Sequence, residues 1–159
     1  MEQARLTSIS LEAANTIVTN ALAEGRRHSF MPLTVAVLEA GGCLVALQRE
    51  DGSGILRPDI AIGKAWGALG MGVPSRLLRD RLSNRPAFQA SLAAASGGKF
   101  VAVPGGILLL EADGAVIGAV GVSGDTSDKD EVCAIAGAKA AGIASWPAEP
   151  TENWASSKL

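Results

Sequence analysis

Arg57, Lys64, Ser123, Gly124 and Asp128 are the residues whose types and placement predict a site for a small anion. Ser123-Gly124-Asp125-Thr126 stands where a strand gives way to a helix, and a bare backbone at such a corner offers amide groups to a ligand. Lys64 lies about 200° around its helix from Trp66, on the side away from the apolar stripe, with Arg57 about two turns earlier. The pair predicts a basic ridge. Turned toward the glycine loop, that ridge, Ser123 and the amides around Gly124 would enclose a carboxylate. Asp125 and Asp128 oppose a fully anionic ligand and suit hydroxyls or helix capping. The bland alternative, a plain connector beside a solvated lysine, stays open on the sequence alone.

Other chemistries find less support. His28 is the only histidine, so sites of two or three imidazoles are excluded. Cys43 and Cys133 form no CxxC pair, and both fall at positions that predict packing. Ser123 has no histidine near it in sequence, and its flanking order is wrong for a nucleophile elbow. Arg76, Arg79, Arg81 and Arg85 predict a solvated helix face with an Arg76–Asp80 pair at i,i+4. A net charge of −2 and only three Phe and three Trp argue against a nucleic-acid surface.

These groups need a scaffold, and 159 residues, 48% hydrophobic, predict one domain able to bury a core. Ser10 caps a first helix to about Glu24, closed by Gly25. Leu33–Glu39 and Cys43–Arg49 predict strands joined at Gly41-Gly42, the first apolar on both faces and so covered on both sides. Pro58 opens a helix to about Gly70, with Ile62, Trp66 and Leu69 toward the core and Gly63 and Gly67 leaving room for close packing. Pro74 and Pro86 open two shorter helices. A second hairpin, about Ile107 to Ser123, turns at Asp113-Gly114. Its outgoing strand has a face of Ala115, Ile117, Ala119, Gly121 and Ser123, small enough for a helix or flat ligand to approach. Asp128 with Glu131 predicts the cap of a last helix to about Gly142. The tail, 147–159, is expected to be mobile or docked on a partner.

Three segments carry a resemblance: VAVLEAGGCLVALQREDGSG (35–54), IAIGKAWGALGMGVPS (60–75) and PGGILLLEADGAVIGAVGVSGDTSDKDEVCAIAG (104–137). In order and spacing they resemble the GlcG/HbpS family, DUF336, which includes the C-terminal domain of PduO-type proteins. The resemblance implies a profilin-like α/β/α domain, an antiparallel sheet with helices on both faces, assembled into a symmetric homo-oligomer. It also implies heme as a possible cofactor. His28 is then the available axial ligand, with Arg26, Arg27 or the Arg76–Arg85 group for the propionates. The family's Arg-Met-Asp-Gly-Ala stretch appears here as Arg49-Glu50-Asp51-Gly52-Ser53.

Three functions follow as expectations. The first is a cytoplasmic small-molecule binder, with a heme-type tetrapyrrole as its ligand. The second is an enzyme or accessory acting on a small carboxylate through the Lys64/Ser123 pocket. The third is a structural homo-oligomer without a ligand. The opening MEQARLTSIS predicts no leader, and no run reaches the roughly 20 apolar residues of a membrane span, so neither membrane nor nucleic acid is expected as a partner.

Overall fold

The computed structural model describes residues 7–159. Five antiparallel strands make one sheet: β1 (Thr34–Glu39), β2 (Leu44–Arg49), β3 (Gly106–Leu110), β4 (Val116–Ser123) and β5 (Ala144–Trp146). Their spatial order is β2-β1-β4-β3-β5. Helices α1 (Leu11–Arg27) and α5 (Ser127–Ala140) pack on one face over Val35, Val37, Ile107, Leu109, Val120 and Val122. Helix α2 (Arg57–Met71) packs on the other over Leu38, Leu108 and Ala119. Helices α3 (Ser75–Leu82) and α4 (Pro86–Ala95) follow it. This is the α/β/α arrangement the sequence predicts, and β1 is buried on both faces as expected.

One row of the sheet's α2 face is nearly bare. Ala36, Gly121 and Gly106 lie side by side across β1, β4 and β3. A side chain at Gly121 would strike the Ala61 carbonyl, and one at Gly106 would strike that of Lys64. The small face therefore receives a helix, not a flat ligand. On its far side α2 is covered again. A side chain at Gly63 would sit 2.8 Å from the Lys99 carbonyl, and one at Gly67 would sit 3.2 Å from the Phe100 ring. A helix pressed between sheet and loop has little solvated face, which decides the fate of Lys64 below.

Several boundaries differ from the sequence reading, each for a local reason. Helix α1 runs through Gly25 to Arg27; the glycine gives clearance, because Leu33 Cδ1 stands 2.5 Å from where its Cβ would be. Ser10 does cap α1, accepting from the Ala13 amide at 3.1 Å. Four residues join β1 and β2, and the Glu39 carboxylate closes the turn by accepting from the Gly41 and Cys43 amides. Cys43 is thus exposed, whereas Cys133 is buried and its thiol pKa is pushed well up by burial. Thr126, not Asp128, caps α5. Strand β5 lacks any strong pattern and escaped the sequence reading.

Candidate functional site

Lys64 is not on a solvated ridge. Only 2% of its side chain is exposed, and its ammonium donates to the Val122 carbonyl at 2.9 Å and to Asp130 Oδ2 at 2.8 Å. The side chain reaches α5 on the opposite face of the sheet by passing Gly105. That glycine has φ +112, and Lys64 Nζ lies 3.0 Å from where its Cβ would be. Burial lowers the lysine's proton affinity and raises that of Asp130, and the attraction between the two opposes both shifts. Lying 200° from Trp66 does not expose Lys64, because α2 is covered from two sides.

A second buried carboxylate lies beside the first. Glu131 is fully buried, with the Arg76 guanidinium 2.7 Å from Oε1 and Nε 3.2 Å from Oε2. Oε1 has no hydrogen bond of good geometry, so Arg76 serves it chiefly as charge. Burial raises the Glu131 pKa, and Arg76 works against that rise. Arg76 therefore reaches α5 and not Asp80, which is bound by Arg79 at 2.9 Å.

The other candidate residues divide between a wall and a cleft. Ser123 is buried and accepts from Arg57 NH1 at 3.2 Å. Gly124 lies outside the positive-φ glycines; its lack of a side chain makes room for the Pro32 carbonyl and Leu33. Arg57 and Asp128 line an open cleft of about 430 Å³ with Arg79, Pro104 and the first turn of α5. Arg79 Nη1 lies 3.7 Å from Asp128 Oδ1, too far for a good hydrogen bond, so the guanidinium keeps donor capacity for a ligand, while the buried Asp128 oxygen opposes an anion. The cleft's last wall is Ser157, Lys158 and Leu159 of the tail. The Lys64/Ser123 pocket expected from the sequence did not include Arg79, because its partner across the cleft, Asp128, lies far along the chain on α5.

Asp125 fixes the loop that carries this site. Its Oδ2 accepts from the Met31 amide at 2.8 Å, and its Oδ1 from the Thr126 amide at 2.7 Å and Lys129 Nζ at 3.0 Å. Burial pushes its pKa up, but these donors outweigh burial and hold it below its ordinary value. A carboxylate so depressed gives stability that is fully present above its unfolded pKa and lost as pH falls through the folded one. Asp125→Asn should therefore cost about 1.5–3 kcal/mol at pH 7, the range for hydrogen bonds to a charged group. Denaturant unfolding should show that gap closing below about pH 4; a gap independent of pH would refute the charge argument.

His28 is held on several sides. Its Nε2 lies 2.9 Å from Glu24 Oε1, its ring stacks on Phe30 at 5.1 Å, and the edge contact with Trp154 is at 5.2 Å. Arg27 pairs with Glu24 and Arg26 with Glu50 at 2.8 Å, so neither neighbouring arginine is spare. Nε2 is thus engaged by the Glu24 carboxylate, which leaves Nδ1 as the ring nitrogen that could meet iron. Among the described residues no group of three or more His, Cys, Asp or Glu side chains is placed to hold a metal ion.

A family model, "Haem degrading protein HbpS-like", matches residues 9–139. The chain belongs to the HbpS-like family. A solved structure of HbpS is 28% identical, with TM-score 0.72 over 87% of this chain and 93% of that one. The Klebsiella pneumoniae protein ORFY (23% identity, TM-score 0.77) covers 89% of this chain and 97% of its own. A PduOC:heme complex (24% identity, TM-score 0.76) covers 86% and 96%. At those two identities the likeness is one of fold. Among curated proteins no significant match is found.

Proposed function

We propose that this HbpS-like protein binds a small molecule bearing carboxylates, a tetrapyrrole of the heme type, and holds its carboxylates at the Arg57–Arg79 cleft. The observation that carries the reading is two partly exposed guanidiniums at one open cleft, in a chain whose family model is named for heme. Forked arginine donors match carboxylates in geometry as well as charge. The cleft thus fits the propionate end of such a ligand, and His28 could meet its metal only through Nδ1. A second reading, a small organic acid as the whole ligand, uses the same arginines and is favoured by the Arg57–Ser123 contact.

Hemin titration followed by absorbance separates these. Arg57→Ala with Arg79→Ala should weaken binding at least about tenfold, the equivalent of one charge-assisted hydrogen bond. His28→Ala reads the metal end: a lost absorbance shift would make His28 the axial ligand, and binding within about twofold of wild type would exclude it. Undiminished binding in the double variant would refute the cleft. Binding of a small dicarboxylate, with no hemin shift in the wild type, would select the second reading.

Self-association is part of the proposal. Helix α4 has no buried residue although eight of its ten residues are Ala, Leu, Phe or Pro, and Ile55 and Leu56 stand 90% and 62% exposed. A symmetric homo-oligomer buries such surface. Sedimentation at micromolar concentration should show a species larger than 16 kDa, and a monomer alone would rule this out.

A further inference from the structure

The tail, 147–159, lies against its own chain and covers two groups at once. At its near end the Glu149 carbonyl accepts from Arg76 at 2.9 Å, and the Glu149 carboxylate pairs with Lys139 at 2.8 Å. Further on, Trp154 sets its ring edge-on to His28 and to Phe30, at 5.2 and 5.9 Å. The Ser157 hydroxyl then bonds that of Thr126, the cap of α5, and Ser157 to Leu159 close the side of the cleft that holds Arg57 and Arg79. His28 and the cleft therefore lie under one segment.

We infer that this segment is a displaceable strap, which covers the cleft reversibly and competes with the cleft's ligand. The inference rests on the reading of that cleft as a ligand site. Its anchors are those of an element that opens ahead of the fold. The Lys139–Glu149 pair is exposed on both sides and adds little. The only regular structure beyond β5 is a single 3₁₀ turn, Trp154–Ser156, with no buried residue. Few buried contacts and solvated backbone mark the segments that open locally. Trp154 is the exception: it is half-buried against the core around α1 and α5 and is the strap's one substantial plug. Ser157 adds a second hold, on a hydroxyl that also accepts from the Lys129 amide at a long 3.4 Å. A ligand that draws the Arg57 and Arg79 guanidiniums together has to share their space with residues 157–159.

Arginine labelling tests the cover without any ligand. Phenylglyoxal modification of wild type, Trp154→Ala and Ser157→Ala would be mapped by mass spectrometry, with exposed Arg81 of α3 as internal reference. Trp154→Ala should speed labelling of Arg57 and Arg79 at least about threefold, as expected when the side of the cleft closed by the tail opens, and leave Arg81 unchanged. Ser157→Ala, which removes one hydroxyl and no core contact, should move the same two sites in the same direction by less. Equal rates at Arg57 and Arg79 in all three proteins would overturn the strap. Hemin titration then reads the competition: Trp154→Ala should bind at least about threefold tighter than wild type. Equal or weaker binding, with a wild-type circular dichroism spectrum, would also overturn it. Faster labelling with no hemin bound by any of the three keeps the strap and sinks the tetrapyrrole reading alone.

Discussion

Gly121→Val should yield no folded protein. The position sits in mid-strand between Ala36 and Gly106, and its missing side chain is the space occupied by the Ala61 carbonyl. Backbone cannot swing aside as a flexible side chain can. Helix α2 is also backed by Lys99, Phe100 and Val101, so it cannot retreat as a unit. Overpacking a core costs about 1–3 kcal/mol where side chains can adjust and more where they cannot. Marginal stability of about 5–15 kcal/mol leaves little to absorb it. Gly121→Ala is the milder probe: it should lose at least about 3 kcal/mol in denaturant unfolding. Wild-type melting of both variants would show that α2 does not rest on this row.

Lys64→Met should have the next largest effect, on stability and not on ligand affinity alone. It leaves the Asp130 carboxylate buried without its ammonium, and removing one partner of a buried ion pair costs about 3–5 kcal/mol. Adding Asp130→Asn should recover more than half of that loss, since Asn keeps an oxygen for the Asp125 amide now bonded at 3.0 Å. The single variant should also gain on wild type as pH falls. Burial already raises the Asp130 pKa, and losing the lysine raises it further, so protonation favours the folded form. An undisturbed melting temperature in Lys64→Met would return the lysine to a purely functional role.

How far the sequence carried depended on the range of the interaction. Strand and helix signals are local, so β1, α2, the Asp113-Gly114 turn and the small face of β4 were legible from alternation, proline and glycine. The family resemblance was equally legible, since its glycine-bearing motifs are contiguous stretches. Lys64 was not, because helical phase tells where a side chain points relative to Trp66 but not that residues 99–101 cover the other side. Asp128 seemed a cap by spacing, while the capping hydroxyl belongs to Thr126, two residues earlier. The α5 partners of Arg76 and Arg79 are set by where the tertiary fold places α3, which no window of sequence contains. Trp154 seemed to have no core to join because Phe30 and His28 precede it by more than a hundred residues.

The threading of Lys64 past Gly105 has a mechanical consequence. Layers on opposite faces of a sheet ordinarily meet only through the strands and their loops, and shear between them is resisted by side-chain interlock alone. Here one methylene stem runs from α2 around a bare point of the sheet to α5. From Asp130 the bonds continue through the Asp125 amide, and from the Asp125 carboxylate to the Met31 amide in the connector before β1. The two outer layers are pinned together like boards by a dowel, at the end of β4 where the cleft opens. Slippage of α2 along the sheet would have to break that pin, so the spacing between Arg57 on one layer and the α5 N-terminus on the other stays constant while the rim of the cleft moves.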